Sequence, residues 1–182
     1  MIPSESISLE LALIEKAKKG DRISQFELYE RYYKAMYNCA LRILKNETDA
    51  EDCMQEAFLK AFKSLKSFDS NQSFGGWIKR IVINECIDDL KSRKTIDFEK
   101  VIEVHYKTNK TNENQLKLEI HKIKQAMTEL PDGYRTILSL LLFEGYDHEE
   151  IAQILKIKSS TSRSQFQRAK EKLIEIFKFK TN

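Results

Sequence analysis

Apolar residues recur at intervals of three and four along most of the chain, which is the spacing of one face of an α-helix. In the first half, this spacing and the capping signals predict four helices. They are a helix capped by Ser8 that ends near Gly20, one from about Ser24 to Lys45, one opened by a capping box of Thr48 and Glu51, and one from Trp77 to about Lys94.

The apolar stripes of these helices are interpreted as the core of a first domain. In the first helix the stripe is Leu9, Ala12, Leu13 and Ala17. In the second helix it is Phe26, Tyr29, Tyr33, Met36, Tyr37, Ala40, Leu41 and Leu44. Because a stripe of this length requires packing partners, we expect these side chains to be buried.

The periodicity fails between Thr95 and about Gln115, where Lys, Asn, Thr and Glu dominate as they do in flexible tethers. Beyond this segment, one helix is predicted from about Leu116 to Glu129 and another begins at Pro131. The chain is therefore predicted to be all-α, with two small helical domains, residues 1–94 and 121–182, joined by a flexible linker at 95–120.

Residues 147–177 predict a helix-turn-helix. Asp147 and Glu150 have the spacing of an N-terminal capping box, which opens a short helix. Ser159 and Ser160 then provide a second N-cap signal after a tight turn. In the second helix, one side is predicted to pack against the rest of the domain, and it consists of Ser162, Phe166, Ala169 and Leu173.

The opposite side of this second helix is polar and partly cationic. It consists of Ser160, Thr161, Ser164, Gln167 and Arg168, with Arg163 and Lys170 on its flanks. From Lys156 to Asn182 there are eight basic and two acidic residues, whereas Glu129 to Glu150 holds six acidic and one basic. Small hydroxyls, Arg and Gln on a projecting helix suit entry into the major groove, so the pattern favours DNA binding over an ordinary solvated helical hairpin.

The third predicted helix carries a cluster of acidic residues. Five acids and no base lie between Asn46 and Leu59, namely Glu47, Asp49, Glu51, Asp52 and Glu56. Such a surface repels nucleic acid and favours a basic protein partner. The alternative is that acids crowd a helix start to complement its dipole, which explains Glu56 less well than the others.

A polar, turn-forming segment precedes the fourth predicted helix. The segment is Phe68, Asp69, Ser70, Asn71, Gln72 and Ser73, and Gly75 and Gly76 after it are expected to loosen the helix entry. The side chains expected on the outer face of the helix include Lys79, Arg80, Asn84 and Asp88. Polar groups beside Phe and Trp suit the handling of an unstacked base, although a Trp at a helix start more often lies in the core.

The composition is consistent with helical folding and excludes several classes. The 182 residues include only 5 glycines and 2 prolines, and 41% are hydrophobic. Cys39, Cys53 and Cys86 are widely spaced among apolar positions and are interpreted as buried free thiols in a reducing compartment. The cysteines and three histidines show no metal-ligand spacing. Because of this, no metal or other cofactor is expected. The sequence also contains no signal-peptide core and no membrane span, so a cytoplasmic protein is expected.

Three segments in order resemble the extracytoplasmic-function (ECF) group of bacterial RNA polymerase sigma factors. The sequence AEDCMQEAFLKAF resembles that family's core-polymerase-binding helix. FGGWIKRIVINECIDDLKSRK resembles its promoter-melting and minus-ten-reading helix. LPDGYRTILSLLLFEGYDHEEIAQILKIKSSTSRSQFQRAKEKL resembles its minus-thirty-five-reading domain.

The resemblance implies roles for the residues singled out above. Asp52, Gln55 and Glu56 would face the clamp helices of the polymerase's largest subunit. The segment from Phe68 to Ser73 would capture a flipped minus-ten base, near Lys79, Arg80, Asn84 and Asp88. Arg163, Ser164, Gln167 and Arg168 would contact the minus-thirty-five element. The implied partners are core RNA polymerase, promoter DNA and an inhibitory anti-sigma factor.

Three positions stand out against the family pattern. Lys156 stands where a turn glycine is common, so the turn must avoid a positive φ or accept strain of about 1 kcal/mol. Ser162 stands where an apolar β-branched residue usually packs, and the polar Gln167 occupies a contact position whose identity varies. These differences leave the expected fold intact but make the promoter sequence unpredictable.

The function expected from residues and resemblance together is that of a dissociable initiation subunit without catalysis of its own. Binding energy from both domains on one polymerase scaffold must sustain base unstacking, so the free protein should bind promoter DNA poorly. One alternative is a stand-alone helix-turn-helix regulator, which would normally dimerise on paired half-sites. Another is a nucleic-acid enzyme, for which no metal cluster, phosphate loop or nucleophile–base spacing is present in the sequence.

Overall fold

The computed structural model describes residues 4–93 and 116–179, and these form eight α-helices and one short 3-10 helix. The chain divides into two compact units, Met1–Asp89 and Leu90–Asn182. The all-α fold class is confirmed. The linker predicted at 95–120 lies mainly outside the described residues, and the predicted functional boundaries at 94 and 121 stay predictions.

The first unit contains four helices and the 3-10 turn. They are α1 (Ser4–Lys18), α2 (Arg22–Leu44), α3 (Glu47–Ser64), the 3-10 helix (Leu65–Ser67) and the greater part of α4 (Phe74–Ser92). Helix α2 packs against both α1 and α3. The inner face of α3 is buried through Ala50, Cys53, Met54, Ala57, Phe58 and Ala61.

Several predicted helix starts were wrong. Ser8 lies inside α1 rather than capping it, because α1 already begins at Ser4. The N-cap of α3 is Asn46, whose side chain accepts a hydrogen bond from the Asp49 amide at 3.0 Å. Because this cap places Thr48 within the helix, the predicted Thr48–Glu51 capping box is not the one that opens α3.

Part of the predicted apolar stripes is also wrong. Leu9 in α1 is 70% exposed, whereas Ile14, which lies outside the predicted stripe, is buried beside Ala17. Phe26 in α2 is 59% exposed, although Met36, Ala40 and Leu44 farther along the stripe are buried as predicted. Periodicity identifies which side chains share a face, but it does not tell what covers that face.

Helix α4 begins at Phe74, three residues before the predicted start, so Gly75 and Gly76 are helical and do not form a loose entry. A Cβ atom on Gly75 would lie only 2.9 Å from Cε1 of Tyr32, whereas at Gly76 the nearest atom would be 3.8 Å away. The Tyr32 ring is held in place because its hydroxyl donates to Glu10 at 2.5 Å and its face packs on Phe74, with 5.2 Å between ring centroids. Gly75 therefore permits close approach of α4 to α2.

The second unit contains α5 (Leu116–Glu129), α6 (Asp132–Leu142), α7 (His148–Leu155) and α8 (Ser159–Phe179). Pro131 is the N-cap of α6 rather than its first residue. The core of the unit joins α5, α6 and α8 through Met127, Leu130, Tyr134, Leu138 and Ala169. Helix α7 packs against α6 and α8 and buries Ile151, Ala152, Ile154 and Leu155.

Within the described ranges, none of the helices combines the length and the apolar character needed to cross a membrane. Cys39, Cys53 and Cys86 are buried free thiols, as predicted.

We expect Gly75→Ala to destabilise the protein by about 1–3 kcal/mol, because the new methyl group overlaps a ring that is fixed by two contacts. Gly76→Ala is the matched control and should stabilise it by about 0.5–1 kcal/mol, because alanine favours the helix and meets no close neighbour. Urea unfolding of the full chain followed by circular dichroism measures both. If both substitutions changed the free energy of unfolding equally, the close approach of Gly75 to Tyr32 would be contradicted.

Candidate nucleic-acid and protein interfaces

The first candidate surface is the solvent side of α3. Asp52, Gln55 and Glu56 are all exposed, and their helical spacing places them on one face. The opposite face of the same helix is buried, so the orientation of the three side chains is set by core packing. The structure therefore brings together the three residues predicted to bind a protein partner.

An exposed apolar surface, which the sequence interpretation missed, lies beside these polar residues. One shallow depression is lined by Tyr29, Gln55, Phe58, Leu59 and Phe62, and a second by Phe26, Tyr29, Glu30, Tyr33 and Glu51. Leu59 is 53% exposed and Phe26 is 59% exposed. We call Phe26, Tyr29, Leu59 and Phe62 the α2–α3 apolar surface. Its exposure could not be read from the sequence, since Phe26 and Tyr29 continue the periodicity of the core stripe.

Burial is the main cause that raises the pKa of Tyr29, with Tyr33 and Glu51 adding to it, so its phenol stays neutral. The Tyr29 ring also meets the edge of Phe58, with the ring centroids 4.9 Å apart. The α2–α3 apolar surface is thus supported from below by a packed aromatic residue.

The second candidate surface is the polar segment between the 3-10 helix and α4. Asp69, Ser70, Asn71, Gln72 and Ser73 are all exposed. The carboxylate of Asp69 accepts hydrogen bonds from the Asn71 amide and side chain, both at 2.9 Å, and the Ser73 hydroxyl accepts one from the Gly76 amide at 3.3 Å. The segment is therefore a shaped turn that presents amide and hydroxyl groups to solvent.

Phe68, the first residue of this predicted segment, lies in the core. Only 3% of it is exposed, and its ring packs on Trp77 and Phe74 with centroid distances of 5.1 and 5.6 Å. The Lys18 ammonium lies 5.7 Å from the Phe68 ring centroid and 3.4 Å from the Ser70 hydroxyl. The prediction that Phe68 faces a base is corrected: its ring supports the turn from below.

Helix α4 carries the remaining predicted residues of this surface. Asn84 and Asp88 are exposed one helical turn apart, while Lys79 and Arg80 are half-buried and engaged within the protein. The Lys60 ammonium contacts the Glu85 carboxylate at 2.5 Å, which joins α3 to α4 and raises the pKa of Lys60. The four predicted residues Lys79, Arg80, Asn84 and Asp88 thus all lie on α4, the helix that follows the turn.

The third candidate surface is the predicted helix-turn-helix formed by α7 and α8. The capping box is confirmed: the Glu150 amide donates to Asp147, the Asp147 amide donates to Glu150, and both distances are 2.8 Å. Lys156 adopts φ 59° and ψ 46°, so the turn accepts a left-handed residue in place of glycine. Helix α8 begins at Ser159, so Ser159 is the first residue of the helix and not the N-cap residue that precedes it.

Ser162 is completely buried at the junction of the two helices. Its hydroxyl lies 2.9 Å from Nδ1 of His148, the first residue of α7. The His148 ring meets Phe166 edge-on, with 5.6 Å between centroids. The polar residue that replaces an apolar one is thus satisfied by a hydrogen bond across the turn, which avoids the cost of an unpaired buried hydroxyl.

The outer side of α8 carries the predicted DNA-contacting residues. Ser160, Arg163, Ser164 and Gln167 are exposed, and Thr161 is half-buried. Arg168 departs from the prediction of a fully outward side chain: it is half-buried, and its Nη1 atom is buried with no hydrogen-bond partner among the described residues. Gln165, which was not singled out, is buried.

Glu149 of α7 organises the start of this outer face. Its Oε1 atom accepts hydrogen bonds from the Ser159 hydroxyl at 3.0 Å and from Nη2 of Arg163 at 2.5 Å. These contacts, with Ser159 the largest contributor, lower the pKa of Glu149, so the carboxylate stays ionised at neutral pH. Arg163 is therefore oriented by a charged partner from the neighbouring helix. The two residues are 14 positions apart, so the sequence did not reveal this contact.

Comparison with known proteins gives matches over both units. Residues 28–96 match the family described as Sigma-70 region 2, and residues 120–173 match Sigma-70, region 4. The chain is 32% identical over 173 residues to the ECF RNA polymerase sigma factor SigW of Bacillus subtilis, covering 88% of this chain and 92% of that protein. It is 30% identical to the RNA polymerase sigma factor NccH of Alcaligenes xylosoxydans xylosoxydans, covering 93% and 95%.

Two solved structures share the fold. One is CnrH in complex with the cytosolic domain of CnrY, with a TM-score of 0.56, 23% identity and coverage of 92% of this chain and 96% of that one. The other is the sigma factor RpoE in complex with the anti-sigma factor NepR from Bartonella quintana, with a TM-score of 0.57, 22% identity and coverage of 84% and 95%.

We expect Lys156→Gly to stabilise the protein by about 1 kcal/mol, because glycine adopts a left-handed conformation without the steric penalty of a side chain. Lys158→Gly removes the same charge two residues away, where φ is not positive. It should instead destabilise the protein by about 0.5 kcal/mol by adding freedom to the unfolded chain. Thermal unfolding of the two variants compares them, and a gain from both or from neither would contradict strain at Lys156.

Proposed function

Because the chain belongs to the extracytoplasmic-function group of the sigma-70 family, we propose that residues 1–94 bind core polymerase and the minus-ten element and that residues 121–182 bind the minus-thirty-five element. As a member of this family it is a dissociable sigma factor, which binds core RNA polymerase and directs promoter-specific transcription initiation. The alternative of a stand-alone helix-turn-helix regulator is not favoured, because the family matches cover both units.

The observation that carries the polymerase-binding part of the proposal is the pairing of exposed polar and apolar side chains on α3. Asp52, Gln55 and Glu56 supply a negative, hydrogen-bonding rim, and Leu59 beside them is exposed. Stable protein interfaces combine a buried apolar centre with a polar rim in this manner. We therefore extend the proposed polymerase-binding site from the three polar residues to the α2–α3 apolar surface.

The proposed minus-thirty-five site is the outer face of α8. Arg163 and Gln167 carry side chains long enough to reach base edges, and Ser160, Thr161 and Ser164 are short donors for phosphates. Arg168 contributes from the edge of this face, since it is half-buried. The Glu149–Arg163 contact supports the proposal because it holds the Arg163 guanidinium at the start of α8, where helices of this kind read the groove.

The proposed minus-ten site is the turn Asp69–Ser73 together with Lys79, Arg80, Asn84 and Asp88 of α4. Exposed amides and hydroxyls can hydrogen-bond the edge of a single unstacked base. Unstacking costs a few kcal/mol, so contacts of both units on one polymerase scaffold have to sustain it. The free protein is therefore proposed to bind promoter DNA poorly.

We further propose that an anti-sigma factor inhibits this protein. The solved structures of CnrH and of RpoE are complexes, the former with the cytosolic domain of CnrY and the latter with the anti-sigma factor NepR. An inhibitor that covered the α2–α3 apolar surface would exclude polymerase by direct competition. We also propose a cytoplasmic location and an absence of catalysis and of any resident cofactor, as expected for an initiation factor of this family.

Two double substitutions separate the proposed surfaces. Gln55→Ala with Glu56→Ala should weaken binding to core polymerase about 10-fold or more and leave upstream duplex contacts of the assembled holoenzyme unchanged. Arg163→Ala with Gln167→Ala should leave core binding unchanged and weaken minus-thirty-five contacts by roughly 5- to 100-fold. Core binding is measured by fluorescence anisotropy and promoter contact by footprinting at saturating sigma factor. Equal loss of both activities from either variant would contradict the division.

The α2–α3 apolar surface can be tested separately. Leu59→Ala and Phe26→Ala should each weaken core binding, by about 30-fold if the side chain is an anchor of the interface. Ile23→Ala is the matched control, because Ile23 is 78% exposed on the same helix as Phe26 but does not line either depression. Unfolding curves should be unchanged, because all three side chains are exposed. If Ile23→Ala weakened core binding as much as Leu59→Ala does, the α2–α3 apolar surface would not be the polymerase-binding site.

A further inference from the structure

Two buried cysteine side chains of the first unit face each other. Cys53 lies on the inner face of α3 and Cys86 on α4, and their Sγ atoms are only 3.0 Å apart. Cys53 is 6% exposed and Cys86 is fully buried. Neither thiol belongs to a proposed polymerase or DNA surface, because both point into the core beneath those surfaces.

We propose that Cys53 and Cys86 are a redox modification site, at which hydrogen peroxide converts the two thiols into an intramolecular disulfide. The Cys53 sulfur attacks the peroxide oxygen, which breaks the O–O bond, forms a sulfenic acid and releases water. The Cys86 thiol then attacks the Cys53 sulfur and forms the S–S bond, while its proton passes to the departing hydroxyl group, which leaves as the second water. The two thiols lose two protons and two electrons, and the peroxide gains them as two water molecules.

The order of attack follows from the surroundings of the two thiols. Cys53 is the less deeply buried member of the pair, at 6% exposed against none for Cys86, so the oxidant reaches Cys53 first. The hydrogen bond with Cys53, together with burial, raises the pKa of the Cys86 thiol, which keeps Cys86 protonated and protects it from direct oxidation. Once Cys53 is oxidised, Cys86 is already beside the reacting sulfur.

The geometry also favours a cross-link over further oxidation of Cys53. The S–S bond length is about 2 Å, so the two sulfurs have to approach by only about 1 Å. A sulfenic acid with a thiol in contact is trapped as a disulfide before a second peroxide molecule arrives. The third cysteine, Cys39, is also buried in this unit, so it serves as an internal control for pairing.

The cross-link would join the helix of Asp52, Gln55 and Glu56 to the helix of Asn84 and Asp88. It closes a loop between residues 33 positions apart. Restricting the unfolded chain in this way should raise the unfolding midpoint of the first unit by about 15–30 °C. Because the bond forms inside the core, both exposed faces keep their composition.

The test uses the full-length chain at low concentration, treated with hydrogen peroxide and then alkylated. We expect the intact mass before alkylation to fall by two hydrogen atoms, non-reducing peptide mapping to yield one linked peptide containing Cys53 and Cys86, and dithiothreitol to restore the thiols and the lower unfolding midpoint. The linked peptide should persist in Cys39→Ser and disappear in Cys53→Ser and in Cys86→Ser.

Peptide mapping of the unsubstituted protein decides the matter even if a serine variant fails to fold. The proposal is overturned if Cys53 gains two oxygen atoms instead of a cross-link, if the linked peptide contains Cys39, or if all three thiols stay alkylatable after peroxide. None of these outcomes bears on polymerase or promoter binding, so they leave the proposed function standing.

Discussion

The packing of one face of α3 against its neighbours is the constraint on which the first unit depends. Ala50, Met54, Ala57 and Ala61 have no exposed area, and three of these four are alanines. Alanine at successive turns permits neighbouring backbones to approach closely, and interiors packed in this way tolerate little change in volume. Because the buried face cannot rotate, Asp52, Gln55 and Glu56 are presented outward with little freedom of direction.

Local capping signals were read correctly where the sequence offers a single candidate cap. The Asp147–Glu150 capping box was predictable because both partners lie within one helical turn. The start of α3 was mispredicted because Asn46 and Thr48 both have cap chemistry, and the sequence alone does not reveal which amide each side chain reaches. The buried pairing of Ser162 with His148 spans 14 residues and appears only once α7 and α8 are packed.

The candidate surfaces were predictable to the extent that helical spacing determines them. The outward residues of α8 and the acidic face of α3 follow from periodicity alone. Periodicity predicted Phe26 to be buried with the rest of its stripe, and it gave no prediction for Phe68, which lies in a turn between helices. The difference depends on whether another helix covers the side chain, and that is a property of the tertiary structure.

The Glu149–Arg163 ion pair has a consequence for how this family member would search a chromosome. An arginine that already has a carboxylate partner gains little from meeting an arbitrary phosphate, because one negative charge merely replaces another. The carboxylate would therefore reduce the share of Arg163 in the salt-dependent attraction to phosphates that every DNA sequence offers.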